Sequence, residues 1–88
     1  MSLYLVQKLF YHLNVDPKVR SRFQKDAEAL CAEYRLAPEE IATIKEADLA
    51  ALYRMGVHPL LLRPFATLKG IGMADYRRAL AGADKERR

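Results

Sequence analysis

Apolar residues recur with the spacing of an α-helix over almost the whole chain. The first stretch covers residues 2–14, where apolar side chains stand three or four positions apart: Leu3, Val6, Leu9, Phe10 and Leu13. This spacing places side chains on one face of a helix. No segment alternates with the period of two that a half-buried β-strand shows. The pattern therefore predicts an all-α chain that begins with a helix over residues 2–14.

Prolines and acidic residues mark where the next helices begin. Asp16 and Pro17 have the chemistry of an N-cap and a first helical position, so they predict a second helix over residues 16–35. Pro38 cannot continue that helix but suits the start of a short third one. The first half of the chain is thus predicted to form three helices.

Residues that begin or end helices also occur in the second half of the chain. Asp48 predicts the N-cap of a fourth helix, and Gly56 predicts its end. Pro59 opens a fifth helix, which Pro64 is expected to kink. The last helix is expected to run from Met73 to about Ala81, because Tyr76 and Leu80 share one of its faces.

The composition fits a small folded domain. The chain has 88 residues, of which 51% are hydrophobic and 30% are charged, and both charge signs are interspersed. We expect a single domain, a compact array of five to six short helices over residues 1–82, and a charged C-terminal tail at residues 83–88. No apolar stretch approaches the ~20 residues of a membrane span, and no signal peptide is evident. The lone Cys31 excludes an internal disulfide, so a cytoplasmic location is expected.

The net charge of +4 resides in the second half of the chain, much of it at the C-terminal end. Lys18, Arg22 and Lys25 share a helix face, but Asp26 and Glu28 stand within one turn of them. This arrangement is typical of a solvated helix face. Nucleic acid is therefore not an expected partner, and weak nucleic-acid binding would reveal itself by a steep dependence on salt.

Few residues in the chain could support catalysis. An iron site of two histidines and one carboxylate would need His12, His58 and an acid such as Asp16, which is better explained as a helix cap. Cys31 lies on an apolar helix stripe, and no histidine is near it in sequence. This position is typical of a buried cysteine that has no reactive role. The sequence predicts no catalytic residue, no metal site and no cofactor within this chain.

The segment from Gly56 to Phe65 is unusually apolar for so small a domain. It contains three consecutive leucines, and consecutive residues of a helix point about 100° apart, so the leucines cannot all face one core. We therefore predict that part of this segment binds a partner. The predicted contact residues are His58, Leu61, Leu62 and Phe65.

Three patterns along the chain resemble one protein family. They are Asp16-Pro17-x-x-Arg20-x-Arg22-Phe23-x-x-Asp26, then Tyr34-x-Leu36-x-x-Glu39-Glu40, then Asp48-x-x-Ala51-Leu52 with Gly56-Val57-His58. Their order and spacing resemble the LigA-type small subunit of class III extradiol aromatic-ring-opening dioxygenases, the family of the protocatechuate 4,5-dioxygenase small subunit. The likeness extends from about Leu5 to Leu80.

The resemblance implies a non-catalytic, all-helical subunit in aromatic compound catabolism. In that family the small subunit packs on a LigB-type large subunit and covers its active site, and the large subunit holds Fe(II). The family's loop before the Gly-Met turn is longer; here only residues 66–71 separate Phe65 from Gly72, which argues against direct contact with substrate.

Two further interpretations stay open. The chain is alternatively a free-standing helical protein-binding module that self-associates as a homo-oligomer or docks another enzyme. The same helical pattern also resembles the recognition domain of some precursor peptides, although Gly82 to Arg88 is an unpromising segment for modification.

Overall fold

The computed structural model describes the backbone of residues 3–87 and the side chains of residues 3–83. Within that range the chain is helical and contains no strand, which confirms the all-α prediction. The described helices number seven rather than five to six: α1 Leu3–Val15, α2 Pro17–Lys25, α3 Ala27–Glu33, α4 Pro38–Lys45, α5 Leu49–Met55, α6 Pro59–Leu68 and α7 Met73–Arg87.

The additional helix arises because Asp26 divides the predicted helix 16–35 into α2 and α3. Its backbone leaves the helical conformation, with φ −156° and ψ 84°. The Asp26 N–H donates to the Arg22 carbonyl at 2.9 Å and ends α2, while its carboxylate accepts from the Ala29 N–H at 3.1 Å and caps α3. Aspartate favours such a cap over a helix interior because its short side chain competes for backbone N–H groups.

Three phenylalanines form the centre of the core. The Phe10 and Phe65 rings stack with their centroids 4.5 Å apart, and Phe23 meets Phe65 edge-on at 6.0 Å. All three side chains are nearly inaccessible to solvent. Because they belong to α1, α2 and α6, this cluster fixes how α6 lies against the first two helices.

The last helix packs mainly against α5 and extends further than expected. The sequence predicts its end near Ala81, whereas α7 continues to Arg87 and Ala83 is buried. The assignment of residues 83–88 as a separate charged tail stays a prediction, since the side chains beyond Ala83 lie outside the described residues. None of the helices in residues 3–87 combines the length and hydrophobicity that a bilayer span requires.

The turn between α5 and α6 requires glycine at position 56. Gly56 has φ +115°, and a Cβ there would approach Cδ2 of Leu3 to 3.0 Å. We expect Gly56→Ala to cost about 1–3 kcal/mol of folding free energy, because a side chain is strained at this φ. Gly72 has open space around its Cα, so Gly72→Ala is the matched control, expected within about 0.5 kcal/mol of wild type. Equal urea midpoints for the two variants would contradict this explanation of the turn.

Candidate functional site

The first turn of α6 is anchored to α1 through His58. The His58 ring caps the helix, its Nδ1 accepting from the Leu60 N–H at 3.0 Å, and Pro59 occupies the first helical position. The His58 N–H itself donates to Oε1 of Gln7 at 3.0 Å. Since Gln7 lies in the middle of α1, this bond holds the start of α6 beside that helix.

A second contact holds the same turn from the opposite end of the chain. The Tyr76 hydroxyl, on α7, donates to the Pro59 carbonyl at 3.3 Å. Burial raises the pKa of Tyr76 above its ordinary value, so the hydroxyl keeps the proton that this bond needs. The beginning of α6 is therefore a fixed platform held by α1 and α7.

The three leucines on this platform point in different directions, as the sequence predicts. Leu60 is 75% exposed, Leu61 is half-buried, and Leu62 is fully buried. Phe65 is also a core residue, stacked on Phe10. The surface placement expected for Leu62 and Phe65 is therefore corrected, because both side chains fill the monomer's own core.

The sequence predicts four partner-binding residues. Two of them, His58 and Leu61, are accessible to solvent in the folded chain. Partner binding by this segment stays a prediction, and Leu60 is the large hydrophobic residue of α6 with the most exposed side chain. The sequence contains the information that identifies Leu60 as the exposed leucine of the three. Leu62 precedes Phe65 and Ala66 by three and four positions and so shares their buried face, whereas Leu60 lies on the opposite side of the helix.

A second exposed apolar feature runs along α1. Tyr4, Tyr11 and Val15 are 71%, 55% and 53% exposed, and Lys8 lies between them. These residues are spaced four, three and four positions apart, so they form one stripe on the side of α1 that faces away from its buried residues. The side chains of both tyrosines are exposed to solvent. We call Tyr4, Lys8, Tyr11 and Val15 the α1 face.

We call His58, Leu60 and Leu61 the α6 start, and the two sets together the α1–α6 surface. The bond from His58 to Gln7 joins them, since Gln7 is one helical turn from Tyr4 and from Tyr11. Large apolar side chains concentrated on one part of a small protein commonly mark a protein-binding site. Tyrosine also suits an interface, because it buries a large apolar ring while its hydroxyl stays hydrated.

His12, Tyr34 and Asp16 form local hydrogen bonds. Nδ1 of His12 and the Tyr34 hydroxyl share a hydrogen bond at 2.5 Å, and the Asp16 carboxylate accepts from the Lys18 N–H at 2.9 Å at the start of α2. With His58 engaged as the cap of α6, these side chains do not converge as a set of iron ligands. Among the described side chains, no group of three or more His, Cys, Asp or Glu residues is placed to hold a metal ion.

Cys31 belongs to α3, and its thiol is fully buried in the core. Burial, with a smaller contribution from Glu28, raises the pKa of Cys31 to about 11. A thiol with this pKa is protonated at neutral pH and is a poor nucleophile. Cys31 therefore acts as a small apolar core residue.

Comparison with protein families matches residues 6–87 to a family described as "Aromatic-ring-opening dioxygenase LigAB, LigA subunit". The match spans α1 to α7 and includes nearly all of the α1–α6 surface. Comparisons with curated proteins and with solved structures each gave no match.

Proposed function

This chain belongs to the LigA family, the small subunit of aromatic-ring-opening dioxygenases, and we propose that it binds a LigB-type large subunit through the α1–α6 surface. The name of the family pairs LigA with a second subunit. The large subunit would hold Fe(II) and carry out ring opening, and this chain would contribute binding and shape.

The observation that carries the proposal is the exposure of Tyr4, Tyr11 and Leu60 on two helices that are hydrogen-bonded together. Tyrosine side chains are among those that dominate the energy of protein interfaces when they enter desolvated pockets of a partner, and Leu60 adds exposed apolar area. The platform beneath them is rigid, since His58, Gln7 and Tyr76 fix the first turn of α6. Little conformational entropy is then lost on binding.

Packing of this surface over the mouth of the partner's active site would serve catalysis without supplying a reacting group. A rigid helical cover excludes water from the pocket and holds the substrate in a defined position. The Leu60 and Leu61 side chains would provide an apolar contact at the rim. Tyr4 and Tyr11 would extend that contact along α1.

The test is reconstitution of ring opening from separate subunits. The purified chain, a purified LigB-type catalytic subunit, and a mixture of the two are compared for oxygen uptake with a catechol substrate. We expect no uptake by this chain alone, a stoichiometric complex in gel filtration, and a higher kcat/KM in the mixture. Failure to form a complex at micromolar concentrations, with unchanged activity, would reject the proposal.

A further inference from the structure

The α1 face is complementary to a second copy of itself. Tyr4 and Val15 lie at the two ends of this stripe, and Lys8 and Tyr11 lie near its middle. Two copies of α1 can align either parallel or antiparallel. The two alignments bring different side chains together, so the sequence of the stripe discriminates between them.

In a parallel pair each residue meets its own copy. Lys8 would then face the Lys8 of the other protomer, and like charges directly opposed at close range are unfavourable. In an antiparallel pair centred between Leu9 and Phe10, Lys8 lies opposite Tyr11 of the other protomer. Lysine over a tyrosine ring is a favourable cation–π contact.

The antiparallel alignment also matches the ends of the stripe. It places Tyr4 of one protomer against Val15 of the other, so two exposed apolar groups cover each other at both ends of the pair. The helix dipoles then oppose one another, which removes the repulsion of like helix ends. Every contact occurs twice, as a two-fold symmetric interface requires.

From these contacts we infer that the free chain self-associates through an antiparallel pairing of the α1 face with a second copy. The inference rests on the proposed function only in one respect, namely that the large subunit would displace the second copy from α1. Self-association protects the exposed tyrosines of the free chain from non-specific contacts until that partner binds.

The small size of the interface favours a weak, reversible pair. α1 has 13 residues, which gives a length of about 20 Å, and two such helices side by side bury on the order of 1,000 Å² in total. This area stands at the lower limit for specific interfaces. We therefore expect a reversible dimer with a dissociation constant on the order of tens of micromolar, weak enough for a larger interface to replace it.

The test uses the isolated chain in sedimentation-velocity runs from a few micromolar to several hundred micromolar. We expect a monomer–dimer equilibrium for wild type. Tyr11→Ala should weaken it by about tenfold or more, since each substitution removes two symmetric contacts, and Lys8→Glu should weaken it as well. Met73→Ala is the matched control, because Met73 is an exposed apolar residue of α7 outside the stripe; it should leave the equilibrium unchanged.

Cross-linking distinguishes the two alignments. The fully buried Cys31 needs no replacement, so Tyr4→Cys and Val15→Cys variants with different tags, which keep Lys8 and Tyr11, can be mixed and treated with a short bismaleimide. Because these two positions lie about 16 Å apart along α1, the antiparallel pair predicts predominantly mixed cross-links between the two variants, whereas a parallel pair predicts Tyr4→Cys linked to itself. A chain that stays monomeric at several hundred micromolar, or that dimerises equally well as Tyr11→Ala, would overturn the inference without affecting complex formation with the large subunit.

Discussion

Replacing Phe65 with alanine is expected to destabilise the chain by about 3–5 kcal/mol, the usual cost of removing a buried phenylalanine. The side chain is 2% exposed and contacts the rings of Phe10 and Phe23. Its loss would leave a cavity at the junction of α1, α2 and α6 that the helices cannot close without moving. Since small domains are stable by only about 5–15 kcal/mol, this loss would remove a large fraction of the domain's free energy of unfolding.

The matched control is Leu60→Ala, because Leu60 lies on the same helix and is 75% exposed. Its free energy of unfolding should stay within about 0.5 kcal/mol of wild type. Urea unfolding followed by circular dichroism measures both variants. If Phe65→Ala were as stable as Leu60→Ala, Phe65 would not be a core residue and would return to the set of interface candidates.

Changing Leu60 to aspartate is expected to abolish most binding to the large subunit while leaving the fold intact. An exposed side chain makes few contacts in the monomer, so the melting temperature should be nearly unchanged. In a complex the carboxylate would enter a desolvated apolar region without a partner, at a cost of about 2 kcal/mol or more. This corresponds to a loss of affinity of about thirtyfold or more.

Leu62→Asp, on the same helix, is expected to have the opposite effect, namely loss of the fold. Leu62 is fully buried, so a carboxylate there should unfold the domain rather than affect binding alone. Thermal melting and surface plasmon resonance on the immobilised large subunit separate the two effects. A Leu60→Asp chain that melts normally and binds at wild-type strength would move the docking surface away from the α6 start.

Local signals in the sequence predict most helix boundaries. Asp16 and Asp48 cap the helices that follow them, Pro38 begins α4, and Gly56 ends α5 in a left-handed conformation. These residues act through their own backbone preferences and short-range hydrogen bonds, so a single sequence is sufficient to find them. The starts of α2, α4, α5 and α6 all follow in this way.

The break at Asp26 could not be assigned by periodicity, since apolar spacing continues from Phe23 through Ala27 to Leu30 across it. Asp26 caps α3, and the helices on both sides of this turn contribute side chains to the core. Packing of the whole domain, and not the local stripe, decides whether an aspartate in such a stripe interrupts the helix.

The candidate site likewise combines features that the local sequence predicts with features that depend on the packing of the domain. An outward-facing leucine was predictable because three consecutive leucines exceed the angular width of one helix face. Which leucine it is depends on the phase set by Phe65 and Ala66. The outward position of Tyr4 and Tyr11 follows from the spacing within α1, since both lie opposite its buried stripe. That no other element covers them depends on the packing of the whole domain.

Hydroxyl-radical footprinting of the complex shows whether the α1–α6 surface binds a LigB-type large subunit. The chain is oxidised alone and with excess large subunit, at a concentration below that of self-association, and oxidation of each residue is quantified by mass spectrometry. If this surface is the interface, Tyr4, Tyr11 and Leu60 are strongly protected, while the oxidation of Met73, which is exposed on α7, is unchanged. A stoichiometric complex in which these three side chains stay as reactive as in the free chain would contradict this prediction.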